Sequence, residues 1–118
     1  MKHARLFSSI AAASVLLGSV TALAAEDPKK TERTWKSKCA SCHGQTGKGD
    51  TEKGQQMKVS DMTTAAYQAK KDDELKKAIL NGIKTEKNGV KQEMDGFKDE
   101  LTPEQVDALV AHIRSFKK

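Results

Sequence analysis

The pentapeptide Cys39-Ala40-Ser41-Cys42-His43 constrains this chain more than any other feature. Its cysteines are the only two in 118 residues, and a histidine follows directly. Thiols three positions apart on a helical turn lie on one side of it. Several uses of such a segment compete. A structural disulfide is the ordinary use of a cysteine pair in an exported chain. A redox dithiol uses Cys-x-x-Cys beside a β-α-β pattern, which this sequence does not show. A zinc site needs four ligands, which Cys39, Cys42, His43 and His112 would have to supply together. The spacing with the adjoining His is also the attachment pattern for a c-type haem. In that use each thiol forms a thioether to a vinyl group, and the His turns its ring toward the iron.

The rest of the sequence weighs on this choice. Lys2, His3 and Arg5 precede an apolar run from Leu6 to Val20, closed by the small residues around Ala22-Leu23-Ala24-Ala25. That order is a secretory signal peptide, expected over residues 1–25 with cleavage near Ala24 or Ala25. The run is short for a membrane span and the chain turns polar at Glu26. Residues 26–118 are then one small domain, and small domains bury little apolar surface. The whole chain has one Trp, one Tyr and three Phe, and Phe7 belongs to the leader. A large flat apolar cofactor would fill the core that these side chains cannot. The formal charge is +5, of which Lys2 and Arg5 supply two, and lysines and acids are interleaved beyond Glu26. That is a mixed solvated surface, not a nucleic-acid patch.

The pattern beyond residue 26 is helical. Asp27-Pro28 reads as an N-cap and first helical position, and a helix runs from there toward Cys39 with Trp35 on the same face. Gly44, Gly47, Gly49 and Gly54 mark a loop. A short helix is expected over Asp61 to Lys70, capped by Asp61 or Thr63. A firmer one covers Asp72 to Asn81, with acids in its first turn and Gly82 at its stop. Asn88-Gly89 marks a turn, and a loop continues through Met94-Asp95-Gly96-Phe97. Thr102-Pro103-Glu104-Gln105 opens the last helix with a capping box, followed by Val106, Leu109, Val110 and Ile113 at helical spacing. No segment alternates like a strand, so the expected fold class is all-α.

With His43 on one face of the iron, the other axial position decides function. A closed His/Met site favours electron transfer, and an open one admits small gases or peroxide. The candidates are Met57, Met62, Met94 and His112. Met94 leads, because its loop between Gly89 and Gly96 can lay a thioether across the face opposite His43. Met57 would have to wrap the cofactor edge in few residues. Met62 reads as a packing residue, and His112 as a partly buried or surface residue at the border of the apolar face.

These residues resemble the class I c-type cytochromes, especially the short bacterial periplasmic and c6-like members, from about Lys29 to Lys118. Trp35, the segment Cys39 to Gly49, the segment Met94 to Val106, and Val110-Ala-His-Ile-Arg114 carry the resemblance. It implies N- and C-terminal helices crossing around one covalently bound haem c. Cys39 and Cys42 would be thioether anchors, with His43 and Met94 as axial ligands. It implies a periplasmic electron carrier rather than an enzyme, with redox proteins as partners. A monomer is expected, with no nucleic acid as partner and no stable membrane insertion after signal cleavage. The alternative is a haem-based gas sensor or peroxidase-like protein with an open sixth site. Three positions depart from the family pattern. Asp95 stands where Pro often follows the axial Met, which predicts a looser loop. His112 replaces an aromatic. No Pro carbonyl is available after the motif to orient His43, so another carbonyl would have to accept from its Nδ1.

Overall fold

A computed structural model describes residues 18–19 and 25–118. The expected leader over 1–25 lies almost wholly outside the described residues. Among them, no helix is long and apolar enough to cross a membrane.

Helix α1 spans Pro28–Lys38, with Asp27 as the N-cap accepting from the Lys29 amide at 2.9 Å. Pro28 at the first position loses nothing there, because that amide has no partner inside a helix. α1 buries Thr31 and Trp35. Helix α2, Ala40–His43, is the single turn that carries the cysteine motif. Helix α5, Asp72–Asn81, starts on three acids and stops at Gly82, and it buries Leu75 and Ile79. Helix α6, Pro103–Arg114, has the complete capping box between Thr102 and Gln105. Its buried stripe is Val106, Leu109, Val110 and Ile113. Both α1 and α5 pack on α6. Trp35, Leu109 and Val106 are the largest side chains sealed completely from solvent.

Two short helices lie between. α3, Glu52–Gln56, falls inside the stretch read as a glycine loop. Thr51 caps it and accepts from the Gly54 amide, which offsets the poor helix propensity of Gly54. α4, Ala65–Gln68, is shorter than the helix expected over Asp61 to Lys70, and its cap is Thr64. Asp61 instead closes a local turn, accepting from the Thr63 amide and hydroxyl at 2.8 and 2.7 Å.

The all-α expectation is corrected by a two-stranded antiparallel sheet. Strand β1, Ile83–Lys87, pairs with β2, Val90–Met94, from Ile83 opposite Met94 to Lys87 opposite Val90. Asn88 and Gly89 form the two-residue connection, with φ of 50° and 75°. Two consecutive positive φ values match the right-handed twist of paired strands, which is why Asn-Gly specifies a hairpin and not merely a turn. Met94, expected in a loop, therefore ends a strand.

Candidate functional site

The cysteine motif is held from three directions. Within α2, the amides of Cys42 and His43 both bond back to the Cys39 carbonyl. Beneath it, the Trp35 indole Nε1 donates to the Gly44 carbonyl at 3.1 Å, in the buried core. From outside, the Thr51 hydroxyl donates to the Ser41 and Cys42 carbonyls at 2.8 and 3.1 Å. These carbonyls end a short helix and have no partner within it. Gly44 is required where it stands, for its φ is 79° and a Cβ there would lie 2.6 Å from Asp50 Oδ1. The Gly49 amide closes the wrap on the His43 carbonyl at 2.9 Å.

An outer cleft of about 270 Å³ opens beside this turn. Cys39, Cys42 and His43 line one side, and Met57, Ile83, Met94 and Phe97 are among the residues of the others. A smaller apolar cavity of about 50 Å³ lies deeper, against α5 and α6. Cys39, His43 and Met94 line both spaces. Met57 lines only the outer one, and Met62 only the inner one, where it is 4% exposed and part of the core. His112 is in neither. It is half-buried, with its ring 5.3 Å from Trp35 and 5.0 Å from Phe116. It thus fills the α1–α6 contact in place of the family's aromatic. Burial lowers its pKa, against the pull of Glu32.

The segment after Met94 is pinned despite Asp95. The Phe97 and Lys98 amides donate to the Ile79 and Leu80 carbonyls at the end of α5, at 2.9 and 3.2 Å. Gly96 packs so closely there that a Cβ would lie 2.5 Å from the Leu80 carbonyl oxygen. The looser loop expected from the missing Pro is not what the backbone shows.

The chemistry of the donors discriminates among the readings of the motif. Cys39 and Cys42 are both free thiols. Burial pushes the Cys39 thiol up to about 11, only partly opposed by Lys38. An attacking dithiol needs the opposite, a lowered thiol pKa. Among the described residues no cluster of three or more His, Cys, Asp or Glu side chains is placed to hold a metal ion, so the zinc quartet is not assembled. His43 is pushed toward its neutral form by burial. Its Nδ1 is buried without a hydrogen-bond partner, so the carbonyl expected to accept from it is not there. Neutral imidazole is the form that binds iron, and the ring lines the cleft, where Nε2 is the nitrogen left to serve it. Two thiols, one neutral imidazole and a thioether around an apolar cleft fit a covalent haem.

The comparisons with known proteins agree. The family model described as cytochrome c oxidase, cbb3-type, subunit III matches residues 26–113. The chain belongs to this family, as a class I monohaem c-type cytochrome. Among solved structures, the KustC0563 c-type cytochrome is 31% identical, with a TM-score of 0.62, over 75% of this chain and 98% of that one. No curated protein matches the chain. The cofactor of this cytochrome is covalently bound haem c, and Cys39, Cys42 and His43 stand in the attachment arrangement. Its domain serves haem-based electron transfer, with redox proteins as partners.

Sequence reasoning brought Cys39, Cys42, His43 and Met94 to one cleft. It missed Thr51 and Gln92, which tie the loops around that cleft. Thr51-Glu52 was legible as a cap and acidic first turn. Gln92 had no sequence signal beyond its place two residues before Met94.

Proposed function

We propose that this cytochrome is a periplasmic carrier of single electrons, formed by residues 26–118, with His43 and Met94 as the axial ligands of its haem. When bound, the haem supplies a one-electron iron couple. Cys39 and Cys42 anchor it through their sulfurs. His43, neutral and buried, offers Nε2. Met94 offers its thioether from the end of β2. The apolar residues of the inner cavity keep water from the site, which favours a closed carrier over an open reactive one. The observation that carries this reading is that His43 and Met94 border both the outer cleft and the inner cavity, whereas Met57 borders only the first. The basic, apolar and small-residue order of the first 25 residues supports export.

The absorption spectrum of the purified ferric protein tests the ligand set. Met94→Ala should abolish the weak far-red band of a methionine sulfur on ferric haem, and Met57→Ala should keep it. Retention of that band in Met94→Ala would remove Met94 from the site. Rapid binding of CO by the reduced native protein would favour the gas-sensing or peroxidase-like alternative. Recovery of the protein from the periplasmic fraction with its first residue near Glu26 is the expected result for export.

A further inference from the structure

Strand β1 is exposed at all five positions, and only Ile83, at the margin of both cavities, turns an apolar side chain toward the domain. Strand β2 alternates, with Val90, Gln92 and Met94 turned to the less exposed side and Lys91 and Glu93 to solvent. The Gln92 Nε2 group donates to two carbonyls of another segment, Met57 at 2.9 Å and Lys58 at 2.8 Å. Only the amide NH₂, with two hydrogens, serves two acceptors at once, so the orientation of this side chain is determined. Among the described residues these are the only side-chain hydrogen bonds from either strand to the rest of the domain.

The receiving carbonyls end α3, where a helix leaves such groups without partners. The stop itself is a Schellman motif, with the Lys58 amide on the Gln55 carbonyl at 3.1 Å and the Val59 amide on the Gly54 carbonyl at 2.8 Å. Lys58 occupies its left-handed position at φ 50°, where Gly would be unstrained. Its carbonyl accepts from Gln92, and its Nζ reaches the Asn88 carbonyl in the hairpin turn at 3.5 Å.

We infer that Gln92 is a positioning residue for Met94: its two bonds to the Met57 and Lys58 carbonyls hold β2 over the cleft and keep the thioether in place. The inference rests on the reading of Met94 as an axial ligand. It makes detachment of Met94 a local event, set by the Gln92 contact and separate from unfolding of the helices.

The test is an imidazole titration of the ferric holoprotein, followed by the far-red methionine band. Imidazole binds only after the sulfur has left, so its apparent affinity rises with the detached fraction. Gln92→Glu keeps the side-chain size and removes the donor. It should tighten imidazole binding about tenfold, the factor expected from losing a pair of modest hydrogen bonds. The denaturant midpoint should stay near that of the wild type. Gln92→Leu should shift the titration in the same direction. Lys58→Gly keeps both carbonyls, relieves the left-handed strain and removes only the long, exposed contact of Nζ with Asn88, so imidazole affinity should be unchanged while the midpoint holds or rises. Wild-type imidazole affinity in both Gln92 variants would overturn the inference. So would a fall in global stability that matches the gain in affinity. Retention of the band in Met94→Ala would instead overturn the ligand reading and the inference with it.

Discussion

His43 rides on a helical turn set against Trp35 and wrapped by the 44–54 loop, whereas Met94 rides on the last residue of a two-stranded hairpin with one fully exposed strand. The first support is core: Trp35 is 2% exposed and packs beside α6 residues that are sealed from solvent. The second is surface. An isolated two-stranded hairpin is marginal in water, and this one is held by Gln92 and by its root on α5. Stability is distributed unevenly in such a molecule, and local opening starts in the least buried unit. The two side chains proposed to hold the cofactor from its two faces therefore differ in how readily their supports give way.

The most severe way to break this contrast is to damage the stronger side. Trp35→Ala should cost about 3–5 kcal/mol, as expected for a fully buried aromatic, and it also strands the Gly44 carbonyl. Denaturant unfolding of the holoprotein reads this, and a cost no larger than that of a surface substitution would show that the His43 side is not core-supported. Gly96→Ala damages the weaker side. Its Cβ would overlap the Leu80 carbonyl and the Asn81 backbone, for a cost of about 1–3 kcal/mol. The far-red band should be lost well below the temperature at which helical ellipticity is lost, and simultaneous loss would contradict the separation of the two sides. The smallest effect belongs to Asp61, whose neighbour Met62 donates its amide to the Gly47 carbonyl of the motif loop. Its bonds from Thr63 hold the carboxyl below the ordinary 3.8. A carboxylate lowered in the folded state stabilises above its unfolded value and loses that contribution as pH falls through the native one. The stability difference between wild type and Thr63→Ala should therefore be full above 3.8 and shrink as the pH is lowered further. A difference that does not change with pH would remove Asp61 from the account.

The same division decides what was legible in the sequence. Helices α1, α5 and α6 announce themselves through caps, an acidic first turn and apolar residues at helical spacing, because each buries one face in a common core. In the hairpin only β2 has such a face, and the polar Gln92 between Val90 and Met94 interrupts its apolar pattern. Ile83-Lys-Thr-Glu-Lys87 is exposed throughout, so burial imposed no alternation on it, and Asn88-Gly89 alone carried the information. The cysteine motif was readable because thioether attachment fixes residue types and spacing together. The place of Met94 beside the cleft was readable, but the contact that holds its strand was not: Gln92 reaches carbonyls 34 and 35 residues away in sequence. The partnerless Nδ1 of His43 was only half legible. The missing Pro announced that the usual acceptor was gone, and the fold supplies no substitute.

The two glycines at the root of the hairpin have a consequence for variation. A Cβ on Gly82 would lie 2.7 Å from the Gly96 amide nitrogen, so the chain departs from α5 and returns to it at nearly the same point. An insert whose ends touch is independent of its own length. At the other extremity, a Cβ on Gly89 would meet nothing within 4 Å. Residues added or removed at Asn88-Gly89 would lengthen or shorten an arm in open solvent while Met94 stays at its base. The outer rim of this cytochrome can thus be remodelled for a different neighbour without re-siting the sulfur.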